Sequence, residues 1–153
     1  MLVDFQQALA DLTASPPLCL QVRADAQVLH QHYRLTEREF ARLVGIVKHE
    51  GMACACTVYR ANRLAPLAMN IPLTCKALGA HLRRVASDYW AAYPEGNVHF
   101  YVETHRFCNY LQARLASGED LPPDLAPVLR HEAAAVAAAL AESRTEAGLP
   151  RLN

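Results

Sequence analysis

The chain has 153 residues, 52% of them hydrophobic and only 6 of them glycine, a composition typical of one folded, helix-rich domain. Its 15 basic and 15 acidic side chains leave no formal net charge, which disfavours a protein that mainly grips nucleic-acid phosphates. No apolar run is long enough to span a bilayer, and no signal peptide opens the chain. We therefore expect a cytoplasmic protein whose 5 cysteines stay reduced.

The first third of the sequence predicts three helices. Apolar residues spaced by three and four over residues 2–12 predict an amphipathic first helix. Ser15, followed by two prolines, predicts a break and a second helix that runs to about His30. Thr36 and Glu39 have the spacing of a capping box, so they predict the start of a third helix. Gly51 is the expected C-terminal stop of that helix.

The middle of the sequence predicts two longer helices. A fourth helix is expected from Met52 to about Ala68, with Pro66 as a site where it would kink. A bend is expected at Pro72, because the residue before a proline avoids the α region. Apolar spacing over residues 73–90 then predicts a fifth helix.

The last third of the sequence completes the predicted fold. A sixth helix is expected around Phe107 and Leu115, with its stop at Gly118, and residues 98–102 are the only strand candidate. The alanine-rich stretch from Leu125 to Arg144 predicts a seventh helix, and residues 145–153 are expected to form a flexible tail. The predicted fold is a mostly α, compact single-domain bundle of six or seven helices with at most one short strand pair.

The histidine and cysteine pairs do not predict a self-sufficient catalytic or metal site. His30 and His32 are two residues apart, and so are Cys54 and Cys56, whereas zinc and redox sites favour the C-x-x-C spacing. No glycine-rich phosphate loop and no nucleophile elbow occurs in the sequence. We therefore expect no catalytic residue, no metal ligand and no cofactor in this chain. A small metal- or haem-binding protein that uses these four residues stays open as an alternative, as does a nucleic-acid-binding regulator.

A run of basic residues is the sequence feature that points most directly to binding. No Asp or Glu occurs from Gly51 to Ser87, and Tyr59, Arg60 and Arg63 have the spacing of one helical face. Such a face either ties helices together through an arginine network or forms an acceptor surface for an acidic peptide, a partner or an anionic ligand. The residues predicted to bind a partner or peptide are Tyr59, Arg60, Asn62, Arg63, Arg83 and Arg84.

Several short motifs resemble the helical N-terminal domain of the HvfC-type proteins. The likeness covers most of residues 1–140 and includes the MbnC- and TglI-like accessory subunits of ribosomal-peptide biosynthesis. The motifs that carry it are Phe5-Gln6-x-Ala8-Leu9, Tyr59-Arg60-x-Asn62, Ile71-Pro72, Leu78-Gly79, Tyr89-Trp90 and Leu129-x-x-Glu132.

The resemblance implies a role in an enzyme complex. Subunits of this kind form a heterodimer with a multinuclear non-heme iron oxidase and help to recognise or present a precursor peptide whose cysteine is modified. The iron belongs to the partner enzyme, so the resemblance implies a non-catalytic accessory subunit without a cofactor of its own.

Overall fold

The computed structural model describes residues 2–97 and 99–146, and within these ranges the chain forms helices and no strand. The helices are α1 (Leu2–Ala14), α2 (Pro16–Ala24), α3 (Val28–His32), α4 (Glu37–Lys48), α5 (Gly51–Asn70), α6 (Pro72–Leu78), α7 (Leu82–Ala92), α8 (Phe100–Ala116) and α9 (Leu125–Glu146), with a 3-10 turn at Gly79–His81. The predicted all-helical class is therefore confirmed. No helix in the described part of the chain is long and apolar enough to cross a membrane.

The N-terminal signals in the sequence act as predicted. The Ser15 hydroxyl accepts a hydrogen bond from the Leu18 amide at 3.3 Å, which satisfies one of the unpaired N–H groups at the start of α2. At α4, Thr36 Oγ1 accepts from the Glu39 amide, and the Glu39 carboxylate accepts from the Thr36 amide at 2.8 Å. The capping box thus fixes the start of α4.

Two predicted boundaries in the first half of the chain are wrong. The second helix ends at Ala24 instead of about His30, because Asp25 is extended, and a separate helix α3 follows. Gly51 does not stop the third helix: extended backbone at His49 ends it, and Gly51 is the first residue of α5. Helix α5 continues through Pro66.

The second half of the chain differs from the prediction at two places. The predicted fifth helix is split into α6 and α7, because Gly79 has a φ of 51° and a ψ of −123°. Helix α8 begins at Phe100, so residues 100–102 are helical instead of extended, and Val98 lies outside the described residues. Of the predicted tail, residues 145 and 146 belong to α9, and residues 147–153 lie outside the described residues.

The chain divides into two compact units, Met1–Asn62 and Arg63–Asn153. The core of the first unit contains buried side chains of α1 to α5, among them Leu12, Leu29 and Leu43. The core of the second unit contains Tyr89, Phe107 and other buried side chains. In this second unit α9 packs against both α6 and α8. The sequence-based expectation of a single domain stays a prediction.

Candidate functional site

A groove between α2 and α5 in the first unit is the candidate site. Its volume is about 290 Å³, near the lower end of the range for ligand sites in proteins. Cys19, Met52 and Cys56 are its buried lining residues, whereas the Leu20 side chain is 65% exposed. The groove is lined by Pro16, Cys19, Leu20, Arg23, Met52, Ala53, Cys56, Thr57 and Arg60.

Arg23 is held beside this groove by the end of a neighbouring helix. Its Nε donates a hydrogen bond to the Val47 carbonyl oxygen at 2.8 Å. Val47 lies in the last turn of α4, where carbonyl groups lack a partner within the helix and carry the negative end of the helix dipole. This contact anchors the Arg23 side chain. The Arg23 side chain is exposed, and this bond from Nε is the one hydrogen bond that it makes to the described residues.

Arg60 is the predicted binding residue that lies in this groove. It is half-buried on α5, in the same lining as Arg23. The lining contains two arginines and no Asp or Glu, so the groove carries positive charge although the whole chain is neutral. Such local charge steers the approach of anionic groups, and arginine can hold a carboxylate through two parallel hydrogen bonds.

Two thiols at the groove cap the C-terminal end of α1. Cys19 and Cys56 both donate to the Leu12 carbonyl oxygen, with sulfur–oxygen distances of 3.0 and 3.5 Å. Leu12 lies in the last turn of α1, so this carbonyl needs a partner from outside its own helix. Burial, reinforced by the neighbouring Cys56 thiol, raises the pKa of Cys19 to about 11. Cys19 is therefore a protonated thiol at neutral pH and a poor nucleophile.

The other cysteines do not gather at this groove. Burial and the nearby Glu132 carboxylate raise the pKa of Cys75 to about 11 and that of Cys108 to about 12. Both thiols lie in the second unit, and Cys54 is exposed on α5. Over residues 2–97 and 99–146, no three His, Cys, Asp or Glu side chains are grouped so that they could hold a metal ion.

Arg63 belongs to the interior of the second unit. It is 6% exposed, and its Nη2 donates to Glu103 Oε1 at 2.7 Å. Its Nη1 donates to the Pro94 carbonyl oxygen, and its guanidinium lies 5.6 Å from the ring centre of Tyr89. These contacts favour the structural alternative for Arg63, in which the side chain ties α5, α7 and α8 together.

The remaining predicted residues lie elsewhere. Tyr59 is half-buried and Asn62 is exposed on α5, and Arg83 is exposed on α7. Arg84, also on α7, forms an ion pair with Glu119 at 2.9 Å. The structure therefore brings Arg60 to the groove, places Arg63 in a core and leaves Arg83 and Arg84 on the surface of the second unit.

Sequence reasoning missed the α2 side of the groove. Leu20 and Arg23 are three residues apart on α2, the spacing of one helical face. The available signal was a leucine and an arginine on one face of a predicted helix segment that contains no acidic residue. It is a weak signal, because single apolar residues are common on protein surfaces.

Comparisons with protein-family models, with curated proteins and with solved structures find no match for this chain. The groove and the motif resemblance are therefore the two grounds on which a function can be inferred.

Proposed function

We propose that the chain is a non-catalytic partner subunit that recognises a ribosomally made precursor peptide and presents it to a multinuclear non-heme iron enzyme. The observation that carries the peptide-binding part is the groove between α2 and α5. The heterodimer with an iron enzyme, and the cysteine modification that this enzyme performs, are supported by the motif resemblance. The iron belongs to the partner in this proposal.

The shape and lining of the groove suit a peptide segment. Its volume of about 290 Å³ has room for a few side chains. Met52 and the two buried thiols offer an apolar floor, and methionine adapts to differently shaped apolar partners. The walls are helices, so the site is largely formed before binding, which lowers the entropy lost on association.

The peptide-binding part can be tested by filling the groove. Ala53 lines the groove and is exposed on α5, so Ala53→Trp places a large ring in the space that the peptide would occupy. Ala55→Trp is the matched control, because Ala55 is an exposed residue of the same helix outside the groove lining. Circular dichroism and thermal unfolding of both variants check that the fold is retained.

The experiment co-expresses each variant with the iron enzyme and the precursor peptide encoded beside its gene. Size-exclusion chromatography with metal analysis measures the heterodimer and its iron, and fluorescence anisotropy measures binding of the labelled peptide. We expect Ala53→Trp to keep the iron-containing heterodimer but to bind the peptide at least about tenfold more weakly, whereas Ala55→Trp keeps both. The proposal is wrong if no iron enzyme co-elutes with the wild-type chain, or if Ala53→Trp binds the peptide as tightly as the wild type.

A further inference from the structure

We infer that the occupant of the α2–α5 groove is an acidic amphipathic peptide segment, whose apolar side chains enter the floor while its carboxylates bind Arg23 and Arg60. This inference rests on the proposed function, since it takes the occupant to be a peptide. It adds the chemical class of the segment and assigns Arg23, which the sequence analysis did not single out, as an anchoring residue.

The charge of both walls argues for an anionic occupant. Helix α2 has the sequence PPLCLQVRA and helix α5 has the sequence GMACACTVYRANRLAPLAMN, and neither contains an Asp or a Glu. The chain as a whole contains 15 acidic residues, and α4 carries two of them in its first turn alone. The groove lining contains Arg23 and Arg60 and no Asp or Glu, so a cationic segment would meet charges of its own sign there.

The position of Arg23 makes it suited to hold a carboxylate. The hydrogen bond from its Nε to the Val47 carbonyl fixes the side chain before any ligand arrives. The two terminal nitrogens can then donate to a carboxylate with less loss of side-chain freedom than a mobile arginine would suffer. Because Arg23 is exposed, such an ion pair mainly selects for acidic segments, while the apolar floor beside it supplies burial.

The apolar lining argues for an amphipathic segment over a purely acidic one. Leu20 is 65% exposed at the groove, so a bound apolar side chain would remove it from water and pack against the buried Met52 at the floor. Burial of apolar surface stabilises binding by about 25 cal/mol per Å², whereas rim charges mainly add rate and selectivity. An acidic segment without apolar residues would leave this part of the groove empty.

The test selects binders from a display library of randomised peptides, with the purified full chain as bait. Parallel selections use Ala53→Trp and Arg60→Glu, and Arg130→Glu serves as a charge control at an exposed position of α9 outside the groove lining. We expect the wild-type pool to become enriched in peptides that combine Asp or Glu with Leu, Ile, Phe or Met. The Arg130→Glu selection should keep that enrichment. The Arg60→Glu selection should lose its preference for acidic peptides, and this variant should bind the peptides enriched by the wild-type chain about tenfold more weakly.

Salt dependence provides a measurement without any substitution. Raising ionic strength from 0.1 M to 1 M shortens the Debye length from about 10 Å to about 3 Å, so the affinity for the acidic winners should fall. An enriched pool that is neutral or basic, or affinities that do not change with salt, would overturn this inference while peptide binding itself stands. If the wild-type chain enriches no more peptides than the Ala53→Trp variant does, both this inference and the peptide-binding part of the proposed function are wrong.

Discussion

At the scale of single residues, the pair of Arg63 and Glu103 shows how a predicted binding arginine becomes a structural one. Glu103 is 1% exposed, and besides Arg63 its carboxylate accepts from the Asn97 amide at 3.2 Å. Two opposite charges that are buried this deeply stabilise each other, because their attraction compensates part of the hydration energy that each loses on burial. If one partner is removed, the remaining charge is still desolvated but no longer has an ion pair to compensate that cost.

We therefore expect Arg63→Met or Glu103→Leu alone to lower the free energy of unfolding by about 3 kcal/mol, and the double variant to recover most of that loss. Recovery is incomplete because the Pro94 carbonyl and the Asn97 backbone amide each lose one hydrogen bond in the double variant. Urea unfolding of the four proteins measures the coupling. Arg83→Met, at an exposed position on α7, should change stability by less than about 0.5 kcal/mol. If the double variant loses as much stability as the two single variants together, Arg63 and Glu103 do not stabilise the fold as a pair.

The sequence predicts the helical spacing of Arg60 and Arg63 but does not show which of them is buried. The difference depends on Glu103, which is 40 residues away from Arg63 in the chain and meets it only after folding. Spacing along one helix carries no information about such a contact. The same limit explains Arg23, whose place at the groove depends on the Val47 carbonyl, 24 residues away.

At the scale of elements, the break between α6 and α7 depends on one glycine. Gly79 combines a φ of 51° with a ψ of −123°, a conformation that residues with a Cβ rarely adopt. A Cβ at this position would meet no atom within 4 Å, so any penalty of a side chain comes from the backbone conformation alone. Gly45 offers a contrast, because it lies within α4 and also has open space around its Cβ position.

We expect Gly79→Ala to lower the free energy of unfolding by about 1–2 kcal/mol, since alanine resists this backbone conformation. Gly45→Ala should raise it by about 0.5–1 kcal/mol, because alanine favours the interior of a helix. Thermal and urea unfolding of the two variants beside the wild type measure both effects. A gain in stability for Gly79→Ala would show that α6 and α7 can join into the continuous helix that the sequence pattern predicts.

The ends of the helices were predictable from the sequence where neighbouring residues determine them. Ser15 before α2 and the two prolines in its first turn act through neighbouring residues. The same holds for the capping box of α4 and for Gly118, which has a φ of 77° after α8. The breaks at Asp25 and Gly79 were missed because apolar spacing alone does not show where one helix ends and the next begins. At Gly51 a break was predicted, but the helix before it ends two residues earlier, at His49. The groove between α2 and α5 was not predictable in this way, since it requires two helices to meet.

At the scale of the whole molecule, each unit has an apolar core made only of its own residues. The core of the first unit includes Leu43, and that of the second includes Leu111; both side chains are fully buried. The division between the units falls between Asn62 and Arg63, inside α5. Composition and length favour one domain, but they do not show whether two separate cores unfold together.

Truncating one core at a time shows whether the two units unfold separately or as one. Leu43→Ala and Leu111→Ala should each lower the free energy of unfolding of the affected unit by about 2–5 kcal/mol, because the lost methyl groups leave a cavity. Hydrogen exchange followed by mass spectrometry reports the protection of each helix. We expect Leu43→Ala to reduce protection mainly in α1 to α4, and Leu111→Ala to reduce it mainly in α6 to α9, because each leucine belongs to the core of its own unit. An equal loss of protection in both units, for either variant, would show that the chain unfolds as the single cooperative domain predicted from the sequence.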